Sequence, residues 1–190
     1  KCVVFDLDDT VWSGVIGDDK NKEILLIKGI IEFIKELDKR GIICSISSKN
    51  EYEIAWKKIK DFGLSEYFLY PQINWQPKSE SIKIIAKELN ISRDSIAFID
   101  DNPFERSQVK SSLPEVNVYS NSLIPELLDN KEYNPILSKE SSKRRSSSLS
   151  EMNRKLVNKE IKFDLDSFLK FCQINLEIWS AFDHQERCLE

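Results

Sequence analysis

Phe5-Asp6-Leu7-Asp8-Asp9-Thr10-Val11-Trp12 is the stretch that decides the fold of this chain, because apolar residues from Val3 onward give way there to three carboxylates and a threonine. A strand built for stability alone would not end this way. Asp6 and Asp8 are two residues apart, so both side chains project to one face of an extended chain, where they repel each other unless a cation or a proton lies between them. Mg²⁺ suits such a site because it binds carboxylates and accepts phosphate oxygens. We expect a metal and phosphate site here, and a capped turn with exposed acids is the alternative.

The overall composition indicates an ordinary globular protein. The chain has 190 residues, of which 41% are hydrophobic, and a net charge of -4, which suits one full domain and a smaller addition. No apolar run is long enough to span a bilayer, and no charged and apolar leader precedes the first strand. We therefore expect a cytoplasmic protein with no membrane partner. Because the chain begins at Lys1 and enters a strand almost at once, we also expect a piece of a longer protein.

The cysteine and histidine content argues against several kinds of catalytic site. Cys2, Cys44, Cys172 and Cys188 lack the spacing of a metal site, and the first two fall in apolar strand segments where buried thiols are common. The only histidine is His184, which argues against a Ser-His-Asp triad, a Cys-His pair and a histidine-rich metal site. We expect a reducing compartment and chemistry carried by carboxylates.

Apolar periodicity predicts alternating strands and helices. Strands are predicted at residues 3–7, 42–47, 67–70, 95–99 and 116–119. Helices are predicted at residues 29–39, 50–62, 79–89, from 103 onward, and at 122–128, with Gly41 in a left-handed cap. This alternation is typical of an α/β fold with a five-stranded parallel sheet and helices on both faces, where ligands bind beyond the carboxyl ends of the strands. Residues 12–22 are predicted to form a loop or small hairpin that could fold over the site as a flap.

Several helix starts carry capping patterns. Asn50 with Glu53, and Asn102 with Glu105, predict capping boxes. Pro103 suits the first position of its helix, and Ser122 predicts the cap of the last one. Helical spacing predicts that the buried face of the second helix consists of Ile54, Ala55, Ile59 and Phe62.

The Asp-x-Asp-x-Thr pattern of Asp6, Asp8 and Thr10 after an apolar strand resembles the first motif of the haloacid dehalogenase (HAD) superfamily of phosphotransferases. The resemblance implies that Asp6 is a nucleophile that forms an aspartyl-phosphate, and that Asp8 is the general acid and base. It also implies a Rossmann-like core with a small flap and no large cap.

Three further motifs of that superfamily follow in order at predicted strand ends or adjoining loops. Ser48 matches the second motif, whose hydroxyl hydrogen-bonds the transferring phosphoryl group, and a helix cap is the alternative use of this serine. Lys78 matches the third motif, whose lysine neutralises charge in the transition state, although a lone lysine before a helix is normally a surface residue. Asp100 and Asp101 match the fourth, with Asp100 as the direct metal ligand and Asp101 as an outer or water-mediated partner. The implied Mg²⁺ site consists of Asp6, Asp8 through its backbone, Asp100 and Asp101.

A narrower resemblance, running from Lys1 to about Leu176, is to the FkbH-like family of HAD subclass IIIC. The matching segments are Lys1-Cys2, Trp12 through Gly17, Ser48-Lys49-Asn50, Asn74-Trp75 with Pro77-Lys78-Ser79, Phe98 through Pro103 with Glu105-Arg106, and Met152-Asn153-Arg154. These proteins work in polyketide pathways, where they are associated with removing phosphate from D-1,3-bisphosphoglycerate and delivering a glyceryl unit to the phosphopantetheine thiol of an acyl carrier protein. The implied substrate contacts are Thr10, Trp12, Ser47, Lys49, Asn50 and Asn102. For Trp12, a packing role is the alternative to a place on the flap.

Two features depart from that family. The segment 17–29 is short for it, so we expect a reduced or reshaped flap. Ser47 stands where the family commonly has a cysteine, which is a natural position for a glyceryl thioester. Strand geometry places Cys44 roughly 10 Å from that position and Cys2 roughly 13 Å from Asp6, so neither thiol replaces it. Acyl transfer is therefore less well supported than phosphate chemistry.

The C-terminal part of the chain has a different character. Residues 138–162 contain eight basic and three acidic residues, including Lys143-Arg144-Arg145. A solvated helix or a tether is the ordinary interpretation of such a run, and a docking surface for an acidic carrier protein is the alternative. Nucleic-acid binding is disfavoured because the whole chain is acidic and no aromatic residues interleave the basic ones.

Three segments are expected from these patterns. Residues 1–135 are predicted to form a HAD-like catalytic core, and residues 136–173 a helical extension or linker with a helix at 164–171. Residues 174–190, with a strand at 174–179, are expected to begin an acyltransferase-like domain.

Two classes of function follow. The first is an enzyme, either a phosphatase and acyl-loading domain that acts on a phosphorylated three-carbon acid, or a small-molecule phosphatase with no carrier partner. The second is a carrier-docking module with an idle site, which the intact set of Asp6, Asp8, Lys78 and Asp100 argues against.

Overall fold

The computed structural model describes residues 1–17, 23–135 and 143–160. The chain divides into two compact units, Lys1–Ser150 and Glu151–Glu190, and this division falls inside the segment predicted as a helical extension. The helix predicted at 164–171, the strand predicted at 174–179, and the residues Cys172, His184 and Cys188 lie outside the described residues.

A five-stranded parallel sheet forms the centre of the first unit and confirms the predicted fold class. Its strands are β1 (Cys2–Phe5), β2 (Ile43–Ser48), β3 (Gln72–Ile73), β4 (Ile96–Asp100) and β5 (Asn117–Ser120), in the order β3-β2-β1-β4-β5. Phe5, the last residue of β1, pairs with Ile46 on one side and Ile99 on the other. The carboxyl ends of β2, β1 and β4 therefore meet at one edge of the sheet.

Helices cover both faces of this sheet. The α-helices of the described residues are α1 (Ile30–Lys39), α2 (Tyr52–Asp61), α3 (Lys78–Glu88), α4 (Pro103–Ser112), α5 (Ile124–Leu127) and α6 (Arg144–Glu160). Strand side chains alternate between faces, so Val3 and Phe5 pack with residues of α1 and α2, whereas Cys2 and Val4 pack with residues of α3 and α4. In the described ranges no helix combines the length and apolar character needed to cross a bilayer.

The third strand and the second helix differ from the predictions. Residues 67–70 form no strand beyond an isolated bridge from Phe68 to Cys44, because Tyr70, at a φ of 50°, turns the chain before β3. α2 begins after Glu51 without a side-chain cap, so the capping box of Asn50 is wrong. Ile54 is 54% exposed, and the fully buried residues of α2 are Ala55 and Ile59.

The start of α4 agrees with its prediction in part. Asn102 Oδ1 accepts a hydrogen bond from Phe104 N at 2.9 Å, and Pro103 is the first helical residue. Glu105 does not complete the capping box, because its carboxylate pairs with Lys49.

Gly41 and Ser122 lie at two other predicted helix ends. Gly41 has the left-handed φ of 68° that was predicted, and its N–H donates to Asp38 O at 2.9 Å. Ser122 is not a cap, since its own N–H donates to Ser120 Oγ at 3.4 Å. A 3-10 turn, Asn121–Leu123, precedes α5 there.

A short antiparallel hairpin connects β1 with α1. Ser13 N donates to Leu25 O at 2.8 Å, and Ile27 N donates to Val11 O at 3.0 Å. These bonds agree with the small hairpin predicted after the first strand, of which residues 18–22 lie outside the described part.

The basic cluster at the start of α6 is attached to the first unit. Arg145 Nε lies 2.8 Å from Asp38 Oδ1, and Arg145 Nη1 lies 3.1 Å from Glu66 Oε2. Arg144 Nη1 donates to Gly41 O at 2.8 Å. Both guanidinium groups therefore have partners within the chain.

Candidate active site

The candidate active site lies at the carboxyl ends of β1 and β4. Asp6 directly follows β1, and Asp100 is the last residue of β4. Asp6 N donates to Ile99 O at 2.9 Å, which holds the two strand ends together. Lys78, the first residue of α3, reaches both acids, with Nζ 2.7 Å from Asp6 Oδ1 and 2.5 Å from Asp100 Oδ2. Three residues predicted from separate motifs therefore meet in one group.

These three side chains are buried. The exposed fractions are 5% for Asp6, 4% for Lys78 and 0% for Asp100. Burial raises the pKa of Asp6 to about 6, although the ammonium of Lys78 opposes that shift. Burial by itself lowers the pKa of Lys78, but the charges of Asp6 and Asp100 outweigh it and leave the pKa raised. Lys78 therefore stays cationic at neutral pH, where Asp6 is mostly ionised.

A cluster of carboxylates beside Lys78 has the composition of a divalent cation site. One oxygen each from Asp6, Asp100 and Asp101 lie within 4.8 Å of one another. Burial raises the pKa of Asp101, and the charge of Asp100 adds to that shift. Three carboxylates against one lysine leave an excess of negative charge, which a hard cation with oxygen ligands would balance. The donor set and its charge fit Mg²⁺.

Asp8, the predicted general acid and base, is held by three donors. Its Oδ1 accepts hydrogen bonds from Trp12 Nε1 at 2.7 Å and from Ile16 N at 3.3 Å, and its Oδ2 accepts one from Asn50 Nδ2 at 3.0 Å. The Asp8 side chain does not belong to the carboxylate cluster around Asp100. These donors fix the orientation of the Asp8 carboxylate, and they explain why Asn50 is not used as a helix cap.

Trp12 is a core residue in this structure. Its side chain is 0% exposed and its ring lies 6.2 Å from that of Phe62. Of the two roles expected for Trp12, packing agrees with this placement, because a fully buried indole offers no surface to a substrate. Its N–H nevertheless reaches the site through Asp8.

Ser48 lies beside the predicted nucleophile. Its side chain hydrogen-bonds the Asp6 carboxylate, which favours the ionised form of that acid, and its Oγ accepts a hydrogen bond from Asn50 Nδ2 at 3.1 Å. Because α2 has no side-chain cap, the capping alternative for Ser48 is wrong. Ser48 and Asn50 together connect Asp6 with Asp8.

The remaining residues predicted to contact the substrate differ in their exposure and in their hydrogen-bond partners. Thr10 is fully buried, and its Oγ1 accepts a hydrogen bond from Asp101 N at 3.1 Å, so it braces two loops. Asn102 is exposed and caps α4. Ser47 is fully buried, and its Oγ has no hydrogen-bond partner among the described residues. Lys49 is partly exposed and pairs with a glutamate of α4.

Two residues near the site had no predicted part in its chemistry. Arg106 Nη1 donates to Asp100 O at 2.8 Å and to Asp101 O at 2.6 Å, which fixes the loop after β4. The sequence does hold a signal for Arg106. The helix dipole favours acidic residues in the first turns of a helix, so a basic residue there is unusual. Glu105 was assigned to a cap, and no local pattern indicates its pairing with a lysine 56 residues away.

The two cysteines of the described residues lie in the strands, away from the carboxylate cluster. Cys2 and Cys44 are both free and buried. Burial raises the pKa of Cys2 to about 12 and raises that of Cys44 well above its ordinary value. Neither is a thiolate at neutral pH, which agrees with the expectation that neither replaces the missing cysteine at position 47.

The sequence matches a known protein family over much of its length. A model described as haloacid dehalogenase-like hydrolase matches residues 12–111, more than half of the chain. The matched range begins after Asp6 and Asp8, and it contains Ser48, Lys78 and Asp100. No curated protein matches the sequence significantly.

Solved structures with similar folds include a Bacteroides fragilis protein, whose N-terminal part contains a phosphatase domain and was crystallised in complex with Mg. The TM-score is 0.57 at 31% identity, over 78% of this chain and 39% of that one, so the present chain spans well under half of its length. A HAD-superfamily hydrolase of subfamily IA from Geobacter sulfurreducens matches with a TM-score of 0.52 at 12% identity, over 67% and 99%. An uncharacterised protein from Listeria monocytogenes gives 0.52 at 16%, over 67% and 96%. The last two comparisons show the fold alone.

Proposed function

Because this chain belongs to the haloacid dehalogenase-like hydrolase family, we propose that it is a phosphatase in which Asp6 accepts the phosphoryl group. The observation that carries this proposal is the contact of Lys78 with both Asp6 and Asp100 inside a buried carboxylate cluster. Phosphatases of this family use Mg²⁺, and the acidic cluster of this chain suits that ion. The Bacteroides structure, a phosphatase domain complexed with Mg, supports the same assignment.

The residues have distinct roles in the proposed reaction. Asp6 attacks phosphorus, so a bond from Asp6 to phosphorus forms while the bond to the leaving oxygen breaks. Asp8 donates a proton to that oxygen, and then takes a proton from the water that hydrolyses the aspartyl-phosphate. Lys78 and Ser48, which both contact Asp6, stabilise the charge on the phosphoryl oxygens. Mg²⁺, held by Asp6, Asp100, Asp101 and the backbone of Asp8, would neutralise phosphate charge.

We further propose that the substrate is a phosphorylated three-carbon acid, such as 1,3-bisphosphoglycerate, and that the acyl unit is destined for an acyl carrier protein. The FkbH-like motif set supports this, since Ser48-Lys49-Asn50 lies at the carboxyl end of β2 and Asp100 through Pro103 at the carboxyl end of β4. The acyl-holding group is the weak part of the proposal. Ser47 is buried, and none of the residues that the structure describes is a histidine that could activate it. The described residues thus supply the phosphate step, and acyl transfer depends on another group.

A small-molecule phosphatase with no carrier partner is the second candidate. The buried Ser47, in the position where a thiol would hold an acyl group, favours it. An idle docking module is disfavoured, because burial of three charged groups without a function is costly.

Two assays separate these functions. Phosphate release is measured from acyl phosphates and phosphate monoesters of three-carbon acids, with Mg²⁺ and with excess EDTA. Intact-mass spectrometry of an acyl carrier protein, incubated with the chain and 1,3-bisphosphoglycerate, reports a glyceryl adduct. Mg²⁺-dependent release without an adduct supports the carrier-free phosphatase, and release with an adduct supports the loading domain. Full activity in EDTA, or no release from any phosphate, contradicts the proposal.

A further inference from the structure

The peptide group that joins Asp100 to Asp101 is held at both of its ends. Its carbonyl oxygen, which belongs to Asp100, accepts a hydrogen bond from Arg106 Nη1 at 2.8 Å. Its N–H, which belongs to Asp101, donates to Thr10 Oγ1 at 3.1 Å. The same Arg106 nitrogen donates to Asp101 O at 2.6 Å, so the following peptide group is held as well. Because peptide groups are planar, fixing the two that flank Asp101 fixes the direction of its side chain.

The Asp100 carboxylate is held by other donors. Its Oδ1 accepts a hydrogen bond from Asn102 N at 2.7 Å, and its Oδ2 lies 2.5 Å from Lys78 Nζ. One oxygen each from Asp6, Asp100 and Asp101 lie within 4.8 Å of one another. Hydrogen bonds within the chain therefore set the spacing of this carboxylate cluster.

The stability of helix α4 does not explain an arginine at position 106. Arg106 is the fourth residue of α4, close to the helix end where the dipole disfavours a positive charge. Arg106 and Asp101 are only partly buried, so water could satisfy the carbonyl oxygens of a loop in this position. A single guanidinium nitrogen that bonds two successive carbonyls restrains the loop, which water does not do.

A restrained loop affects which cation the cluster accepts. Mg²⁺ binds oxygen ligands at about 2.0 to 2.1 Å in nearly ideal octahedral geometry, whereas Ca²⁺ binds them at about 2.3 to 2.6 Å in flexible arrangements. Selectivity between the two ions depends on the size and the rigidity of the site. Groups that orient the ligands of a metal are important for its affinity, and their loss typically costs about ten- to a hundredfold.

We propose that Arg106 is a positioning residue that makes the cluster of Asp6, Asp100 and Asp101 selective for Mg²⁺ over Ca²⁺. A guanidinium group does not bind a cation, so Arg106 acts through the backbone of the loop after β4. Its positive charge by itself would weaken the binding of both ions. Positioning and charge therefore predict opposite results when Arg106 is replaced. This inference rests on the Mg²⁺ site of the proposed function and names the residue that determines the choice of ion.

The affinity of the metal-free chain for each ion tests this inference without turnover. The melting temperature is titrated with MgCl₂ or with CaCl₂ at constant ionic strength, and its concentration dependence gives a dissociation constant. The quantity compared is the ratio of the Ca²⁺ constant to the Mg²⁺ constant. Arg106→Met should weaken Mg²⁺ binding about ten- to a hundredfold. Ca²⁺ binding should weaken less, so the ratio should fall about tenfold.

Lys110→Met is the matched control on the same helix. Lys110 Nζ donates to Pro114 O at 2.8 Å and to Val116 O at 3.0 Å, so it makes the same kind of contact, but at the amino end of β5 and not beside the carboxylates. Both substitutions should lower the melting temperature in EDTA, but only Arg106→Met should change the ratio. Thr10→Val removes the acceptor at the other end of the peptide group without a change in charge, and it should lower the ratio too.

Three results would overturn the inference: no preference for Mg²⁺ in the unsubstituted chain, an unchanged ratio in Arg106→Met, or tighter binding of both ions by the same factor, as loss of a charge alone would give. If Arg106→Met does not fold, Arg106→Lys decides, since it keeps the charge but lacks the planar guanidinium. A fall in its ratio supports positioning, and an unchanged ratio contradicts it. Failure of the proposed function is seen in another measurement, the absence of phosphate release from the unsubstituted chain at saturating Mg²⁺.

Discussion

The two ends of β1 carry two candidate nucleophiles in different surroundings, Asp6 and Cys2. At its carboxyl end, Asp6 is buried against Lys78 and reaches its ionised form near neutral pH. At its amino end, Cys2 is buried among apolar residues, and so is Cys44 in the neighbouring strand, so burial keeps both thiols protonated. A nucleophile must be ionised or have a base beside it. The difference indicates that a buried acidic group stays ionised near neutral pH only where a charged partner is buried with it.

The largest effect is expected from removing the Asp6 carboxylate. Asp6→Asn should lower phosphate release at least about a thousandfold, as loss of a nucleophile does in other enzymes, while the chain stays folded because the amide has nearly the same shape. Steady-state phosphate release and circular dichroism measure the two parts. Asp61→Asn, at the exposed end of α2, is the control. Turnover near the unsubstituted rate would remove Asp6 from the mechanism.

Removing the charged partner should be nearly as severe. Lys78→Met deletes the ammonium that meets phosphoryl charge, which typically costs about 3 to 4 kcal/mol in the transition state, or roughly a hundred- to a thousandfold in turnover. It also leaves Asp6 and Asp100 buried without their cation, so the melting temperature in EDTA should fall. Lys83→Met, on the same helix and paired with Glu80 near the surface, should change neither quantity. A Lys78→Met enzyme that loses less than tenfold in turnover would contradict this role.

The acidity of Asp6 gives a pH dependence to the metal-free chain. Its pKa is about 6 in the folded chain against an ordinary value of 3.8, so the folded state holds the proton more tightly. The free energy of unfolding should therefore fall as pH rises through this range, by about 3 kcal/mol in total. Denaturant titrations in EDTA measure this fall, which Asp6→Asn should reduce. Saturating Mg²⁺ should offset the fall, since the ion binds the ionised carboxylates.

A substitution at Trp12 tests whether this residue of the amino-terminal hairpin has a packing role or binds the substrate. Trp12→Phe keeps an aromatic ring but removes the 2.7 Å hydrogen bond to Asp8, which should cost about 1.5 to 3 kcal/mol of stability. Turnover should fall modestly, because Ile16 N and Asn50 still hold the Asp8 carboxylate. The Michaelis constant should not change. An increase in that constant at unchanged melting temperature would restore the substrate-binding role predicted for Trp12.

Much of the site could be predicted because its signals are local. Asp6, Lys78 and Asp100 each adjoin a strand end or a helix start in sequence, and a parallel sheet brings such ends together. The pairing of Lys49 with Glu105 could not be predicted, since it depends on two loops that are distant in the chain. Asn50 has the pattern of a helix cap, yet its amide is bound by Asp8, so tertiary contacts overrode a local preference.

The structure of the third strand was missed for a similar reason. The aromatic and apolar residues at 67–70 have high strand propensity, but Phe68 forms only an isolated bridge with Cys44, and the chain turns at Tyr70 before β3. Burial alone produces such a pattern, so propensity does not distinguish a strand from a packed turn.

The smallest effect is expected at the position where an acyl-holding thiol would lie. Ser47 Oγ is buried without a hydrogen-bond partner among the described residues, so Ser47→Ala removes an unsatisfied hydroxyl and should leave stability equal or slightly higher. Phosphate release should stay within about twofold, because Ser48 and not Ser47 contacts Asp6.

After incubation with 1,3-bisphosphoglycerate, peptide mapping should find no glyceryl group on Cys2 or Cys44, since neither thiol ionises at neutral pH. A three-carbon acyl group on either cysteine, or full loading of a carrier protein by these 190 residues, would show that acyl transfer is not separate from phosphate chemistry. A Ser47→Cys variant sharpens the same point: if the buried position can open to substrate, it should acquire the adduct that the natural serine does not form.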